Sequence, residues 1–265
     1  MEDIYKAIVD LRHHGGKAVL ATIVSTHGSA PRKEGAKMLV QADGRTVGTV
    51  GGGALEHQVC QEALKRMGGN EALLVHFEMT NEDASRAGML CGGTVDVFIE
   101  PIHSSPVMFI FGGGHISLAL ARIGKMADFR IVVIDDRPEY ANAERFPEAD
   151  ETMAGDLAAI MEKLTIDRSS YIVIVTREHR YDAQALEWAV RTPAAYVGMI
   201  GSKKKIQTVY SHLQAKGITR EQLDRVHSPI GLSIGAETPE EIAVSIMAEM
   251  IQTRRHQGSK NGHTP

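Results

Sequence analysis

Cysteine is almost missing from this chain: among 265 residues only Cys60 and Cys91 occur. Two thiols make neither a disulfide framework nor a cysteine-rich zinc site, which fits a reducing compartment and predicts a cytoplasmic protein. Long apolar runs are missing too. None approaches the roughly 18 residues that a membrane span needs, and the acidic start Met-Glu-Asp-Ile-Tyr-Lys carries no secretion signal, so no membrane association is expected. Nor is there an excess of positive charge. Lys and Arg number 29 against 33 Asp and Glu, a formal charge of −4, which offers no electrostatic reason to bind nucleic acid. The chain has no Gly-x-Ser-x-Gly elbow, no His-Glu-x-x-His pair and no Walker loop, which removes support for common hydrolase and P-loop chemistries. Internal repeats and low-complexity tracts are likewise lacking.

What is present is a buriable core and a surplus of glycine. Hydrophobic residues make up 43% and charged residues 23%, a globular composition, and the length, divided by about 150 residues per domain, predicts two packed units. Glycine, at 26 residues against a usual share of about 7%, falls in tight clusters, which bring backbone close to something.

In the first half, Ile4, Ile8 and Leu11 recur at helical spacing before the Gly15-Gly16 pair. Strands are expected over Ala18–Val24, over Ala36–Gln41 and, after the Asp43-Gly44 hairpin signal, over Arg45–Val50. Gly51, Gly52 and Gly53 then lead into a helix from Ala54 to Met67, with Leu55, Val59, Ala63 and Met67 on one face. Val75–Met79 and Thr94–Ile99 complete a strand-rich half. Pro101–Pro106, two prolines and two serines, reads as a linker. From Val107 the pattern changes to short, fully apolar strands alternating with helices, the mark of a parallel sheet covered on both faces. Strands are expected at Val107–Phe111, Ile131–Ile134, Tyr171–Val175 and Ala195–Met199, and helices from His115, Asp156, Asp182 and Ser202. Thr238-Pro239-Glu240-Glu241 starts a closing helix to about Arg254. The fold class is therefore α/β: a smaller strand-rich α+β domain over 1–102, a Rossmann-like doubly wound, mostly parallel sheet domain over 103–256, and a loose tail over 257–265.

Five groups of residues can carry chemistry. Gly112-Gly113-Gly114-His115-Ile116-Ser117 sits between a strand and a helix and matches Gly-x-Gly-x-x-Gly, with Ser117 for the third glycine; Asp135 ends the next strand about twenty residues on. That context predicts a nucleotide with its phosphates over Gly112, Gly113 and Gly114 and its ribose on Asp135, which favours NAD or FAD over NADP. Arg137 works against that preference, and a Rossmann fold kept only as scaffold is the plainer alternative. Gly51, Gly52 and Gly53 before a helix can present unpaired N–H groups to an anion, with Arg32, Lys33 and Lys37 adding charge, or can form a tight turn. Gly201, Ser202 and Lys203, opening the Lys203-Lys204-Lys205 triplet, resemble a phosphate grip or a solvated face. His179 and Asp182 lie where open α/β sheets bind ligands, with an N-cap the plain reading of the aspartate. Cys91, framed by Gly88-Met89-Leu90 and Gly92-Gly93, can ligate a metal or accept sulfur, whereas Cys60 reads as a core or flank residue.

These motifs together, with Gly28-Ser29-Ala30-Pro31-Arg32, Gly51-Gly52-Gly53-Ala54-Leu55-Glu56, Cys91-Gly92-Gly93, Ile134-Asp135-Asp136-Arg137, Gly198-Met199-Ile200-Gly201-Ser202, Pro229-Ile230-Gly231-Leu232 and the run from Ile234 to Ala243, resemble the XdhC/CoxI family of accessory proteins of molybdenum hydroxylases. The resemblance spans about residues 10 to 250. It implies a chaperone that binds molybdenum cofactor (molybdopterin), supports its sulfuration by a cysteine desulfurase and delivers it to a xanthine dehydrogenase-type hydroxylase. It also implies that Cys91 is the functional cysteine and metal ligand. Gly28, Ser29, Arg32 and Gly51–Gly53 would be cargo-binding loops, and the Rossmann half would take NAD(P) or FAD. Ala54 stands where many members carry a cysteine, which removes a dithiol. A homodimer is among the assemblies this allows. The competing readings are an NAD(P)-dependent oxidoreductase and a nucleotide-sensing regulatory subunit.

Overall fold

The structure, a computed structural model, describes residues 3–14, 16–28, 30–69, 71–78 and 93–259. Cys91 and Ser29 lie outside the described residues, as does the tail from 260 onward. The chain divides at Ser104 and Ser105 into two compact units.

The first unit runs α1 (Ile4–His14), β1 (Lys17–His27), β2 (Lys37–Gln41), β3 (Thr46–Gly48), α2 (Gly53–Lys65), β4 (Leu73–Glu78) and β5 (Thr94–His103). Its strands form one antiparallel sheet in the order β3-β2-β1-β5-β4. Alternation decides which side each residue serves. Val95, Val97 and Ile99 of β5 join Val19, Ala21 and Ile23 against Leu55, Val59 and Ala63 of α2. Ala18, Leu20, Leu39 and Val47 meet Ala7 of α1 on the other face. At the hairpin, the Gly44 N–H donates to the Gln41 carbonyl (2.9 Å) and Gly44 has φ 83°, a left-handed residue that glycine adopts without steric cost. One expectation needs correcting: Pro101 and Ile102 are not linker but strand, pairing with Val19 and Ala18. Pairing with β4 stops at Ile99, so Pro101 sits on a half-open edge where a missing N–H is tolerated.

The second unit runs β6 (Val107–Phe111), α3 (His115–Met126), β7 (Arg130–Asp135), β8 (Glu151–Ala154), α4 (Leu157–Met161), β9 (Ser170–Ile174), α5 (His179–Ala189), β10 (Tyr196–Met199), α6 (Lys203–Ala215), α7 (Arg220–Asp224), β11 (Val226–His227) and α8 (Pro239–Ser259). The strands form a parallel sheet in the order β11-β10-β9-β6-β7-β8, the dinucleotide-fold order in which direction of winding reverses beside the first strand. Both faces are covered. Leu157, Leu186, Val209 and Leu223 from α4 to α7 pack on one, and Leu120, Ile246 and Met250 from α3 and α8 on the other, each such side chain stabilising by about 1.5–3 kcal/mol. The closing helix starts as expected. Glu241 N–H donates to Thr238 Oγ1 (3.2 Å) and Thr238 N–H to Glu241 Oε2 (3.1 Å), a reciprocal capping box. Its backbone continues to Ser259, so residues 257–259 belong to the helix and not to a tail. Helix α5 begins at His179, three residues before the expected cap; Glu178 is the cap and Asp182 is buried in the first turn.

Candidate functional site

The glycine turn after β6 is built by the protein's own backbone. Gly112 has φ 113°, and a Cβ there would lie 2.5 Å from the Val175 carbonyl oxygen; at Gly113 it would overlap the carbonyl oxygen of Tyr140. Both glycines are therefore required by close packing alone. Gly114 has open space beside it and caps α3 without a side-chain hydrogen bond, which leaves the first-turn N–H groups facing outward. Ser117, fully buried, donates its hydroxyl to the Gly112 carbonyl (2.5 Å), which satisfies a polar group held tight against the turn. His115 is exposed at the first helical position.

Asp135 is placed where a ribose would be read, yet its carboxylate is already full. Oδ2 accepts from the Gly113 N–H (2.7 Å) and Arg137 Nη2 (3.3 Å); Oδ1 accepts from the Arg137 N–H (3.1 Å) and Nε (2.9 Å). An ionised carboxylate has about four acceptor positions, and all are taken. Burial pushes the Asp135 carboxyl up, but the Arg137 guanidinium and the two backbone donors outweigh it and hold it below the ordinary range. Arg137 in turn lies 3.5 Å from the centre of the Tyr140 ring, and Arg145 donates from Nε to the Gly113 carbonyl (3.1 Å). The loop after β7 thus folds its own cation and ring onto the glycine turn. Asp136 Oδ2 reaches across the end of β6 to Arg177 Nη2 (3.0 Å) and the Tyr181 hydroxyl (3.1 Å). Beneath this bridge, Gly112, Asp135, Asp136, Thr176 and Arg177 border a cavity of about 10 Å³, room for about one water.

The ends of β9 and β10 look different. Thr176 Oγ1 donates to Asp182 Oδ1 (2.7 Å), and Lys205 Nζ stands 2.5 Å from Asp182 Oδ2, an ion pair with Asp182 fully buried. Spacing identified Asp182 as notable but did not reveal Lys205 as its partner. Gly201 leaves room for the Lys205 stem, 2.9 Å from where its own Cβ would be. Ser202 caps α6 by accepting from the Lys205 N–H (3.3 Å). His179, Ser202, Lys204, Lys205, Thr208 and Val209 line a cleft of about 300 Å³. Lys203 is exposed and not among its lining residues.

In the first unit, Gly52 caps α2 with φ 82° and no side-chain hydrogen bond, and Gly52 and Gly53 (φ 62°) have nothing against them. At Gly51 a Cβ would overlap Pro31. Glu56, in the first turn of α2, accepts from the Thr49 hydroxyl, which itself accepts from the Gly51 N–H (3.0 Å). Gly28 follows β1 with φ 78°, and Arg32 and Lys33 are exposed, whereas Lys37 is spent on Thr22 Oγ1 (3.3 Å). A third cluster leaves no trace in motif or spacing. Asp96 accepts from Ser25 Oγ (2.5 Å) and pairs with His76 Nδ1 (2.7 Å) across three strands. Those hydrogen bonds, Ser25 first, hold its carboxyl below the usual value. Only the register Ser25↔Asp96↔His76 makes that cluster visible. Among the described residues no group of three His, Cys, Asp or Glu can hold a metal ion, and no helix is long and apolar enough to cross a membrane.

Known proteins match both units. The XdhC Rossmann domain matches residues 108–250, more than half of the chain, and the XdhC and CoxI family matches residues 11–78. The chain belongs to the XdhC and CoxI family. Among its relatives, YqeB of Escherichia coli, an uncharacterized protein, is 35% identical over 96% of this chain and 47% of YqeB, so the chain spans about half the length of that relative. A Bacillus subtilis protein named as a probable xanthine dehydrogenase subunit is 26% identical over 90% of this chain and 94% of that protein. PaoD of E. coli, a molybdenum cofactor insertion chaperone, is 23% identical over 96% of this chain and 89% of PaoD. The crystal structure of a xanthine dehydrogenase from Bacillus halodurans superposes with a TM-score of 0.55 at 24% identity, covering 97% of both chains, and shares the fold of this XdhC family member.

Proposed function

We propose that this XdhC family member is an accessory protein of a molybdenum hydroxylase, and that it carries molybdenum cofactor to that enzyme as cargo. The observation that carries this reading is the filled dinucleotide crevice: with Asp135 saturated and the space under Asp136 and Arg177 reduced to about 10 Å³, the Rossmann unit is poorly arranged to hold NAD(P) or FAD for hydride transfer. That takes support from the oxidoreductase alternative. The near end-to-end likeness to a cofactor insertion chaperone and to a probable xanthine dehydrogenase subunit supports the accessory role.

The cargo is a pterin dithiolene with a phosphate, so it calls for open N–H groups, a few cations and a soft ligand. In the first unit, Gly52 and Gly53 leave the start of α2 accessible, Arg32 and Lys33 are exposed nearby in sequence, and Cys91 is assigned the thiolate that meets molybdenum or carries sulfur. Sulfuration by a cysteine desulfurase belongs to the same proposal. The test is to purify the protein from molybdate-replete cells and assay molybdenum and oxidised pterin. Near-stoichiometric pterin that is lost in Cys91→Ser, with the fold intact, is the expected result. Pterin-free protein that still pulls down the hydroxylase would instead favour a regulatory subunit.

A further inference from the structure

We infer that the second unit has a ligand site of its own, away from the glycine turn, in the cleft between the start of α5 and the flank of α6, and that its ligand is a small phosphomonoester. The cleft itself stands without the cargo reading; of its two ligand sources, a nucleoside monophosphate and a pterin phosphate, only the pterin phosphate rests on that reading. The cleft measures about 300 Å³, at the lower end of small-molecule sites, while the crevice beside Gly112 has about 10 Å³. It lies at the C-terminal ends of β9 and β10, the edge at which open α/β sheets take ligands.

The lining selects for one compact anion. Two helices of 11 and 13 residues begin here. Glu178 caps α5 without its side chain, and Ser202 satisfies only the Lys205 N–H of α6, so of the residues on the cleft wall His179 and Lys204 keep first-turn N–H groups without a helical partner. Lys205 is neutralised by Asp182, fully buried beneath it, whose Oδ2 contacts Nζ outside hydrogen-bonding geometry. Lys204 and His179 on the cleft wall have no such partner among the described residues. One uncompensated lysine, one imidazole and the helix N–H groups match a phosphate dianion. The Thr208 hydroxyl is spent on the Lys204 carbonyl (3.1 Å) and offers the ligand no proton, while buried Val209 gives the apolar floor on which a ring or short chain can lie. A dinucleotide would bring a second phosphate and a second base for which the cleft has neither charge nor room.

Two sources carry a phosphomonoester of this size, a nucleoside monophosphate and a pterin phosphate. Titrating the full-length ¹⁵N-labelled protein with inorganic phosphate, AMP, neopterin monophosphate and NAD⁺, with amide shifts as readout, separates them. Saturable shifts at His179 and Lys204 with phosphate and at least one ester are expected, and the tighter ester identifies the source. Lys204→Glu, at an exposed position, should weaken binding about tenfold or more, and Thr208→Trp should block the ester by filling the cleft, both with unchanged thermal unfolding. The absence of saturable shifts with phosphate and both esters would overturn the proposal. So would shifts at Gly112–His115 in place of the cleft, or parent-like binding by Lys204→Glu.

Discussion

Gly51–Gly53 and Gly112–Gly114 are the same signature twice, a glycine triplet between a strand-rich stretch and a helix, and the two units use it differently. In the second unit the first two glycines are forced by the chain's own carbonyls, Val175 behind Gly112 and Tyr140 behind Gly113, and only Gly114 is open. In the first unit Gly51 alone is forced, by a proline side chain, and Gly52 and Gly53 face open space. A glycine cluster reports close approach of backbone to something. In the second unit that something is mostly the protein itself.

The most severe challenge to this contrast is a single side chain added behind the second triplet. Gly113→Ala would drive a Cβ into the Tyr140 backbone, and Gly112→Val would combine a 2.5 Å approach to the Val175 oxygen with an unfavourable φ of 113°. Each should cost on the order of 3 kcal/mol, seen as a lower urea midpoint for Trp188 fluorescence; the chain's one tryptophan packs 5.7 Å from Phe111 in this unit. A parent-like midpoint for Gly113→Ala would mean that the loop after β7, which carries Tyr140, yields easily, and that the turn is open to a nucleotide after all. Next in size is Asp182→Asn, which leaves Lys205, its side chain only 15% exposed, without a counter-charge. A loss of about 3 kcal/mol is expected, largely recovered when Lys205→Met is added. In the first unit Gly51→Ala meets a movable proline ring and not a carbonyl, so the loss, followed by far-UV circular dichroism, should be nearer 2 kcal/mol.

Much of this architecture was legible from residue type. Val107–Phe111 was readable to the residue because a buried parallel strand is apolar on both faces, and the Thr238 capping box because its two hydrogen bonds are local. Strand β8 was not, since Glu151–Ala154 is an edge strand with no buried residue and no apolar run. Helix α5 began early because its cap, Glu178, uses no side-chain bond, the feature by which a cap is recognised. At the site, the glycine turn and Asp135 were legible as a motif. Their occupation by Arg137, Tyr140 and Arg145 was not, because the loop that carries these residues has no periodicity and its contacts are tertiary. The Asp182–Lys205 pair fails for the same reason: the two residues belong to successive helices that only the sheet brings together.

Acid titration probes the second unit's self-occupied site. The folded Asp135 carboxyl is held below its ordinary value, so its contribution to stability is fully present above the usual aspartate range, about 3.9, and is lost as pH falls through the folded value. In Arg137→Gln the guanidinium that outweighs burial is gone, the carboxyl rises, and acid unfolding should begin at higher pH. A transition followed by Trp188 fluorescence that is the same in both proteins would place the electrostatic weight on the Gly113 N–H instead.

The smallest expected effects belong to the open glycines, and they discriminate best between the two triplets. Nothing lies within 4 Å of a Cβ at Gly114 or at Gly53, but Gly53 has φ 62° while Gly114 has φ −77°. Gly53→Ala should therefore cost about 1 kcal/mol from left-handed backbone strain alone. Gly114→Ala should cost about 0.5 kcal/mol, the difference between a good and a poor N-cap residue. Sterics of the folded chain give no other reason for glycine at 114. If Gly114→Ala unfolds like the parent and phosphate or NAD⁺ still fails to shift its neighbours, the turn is scaffold. A methyl at 114 that removes a ligand response present in the parent, without a change in stability, would show that the third glycine faces a ligand while the first two face the chain.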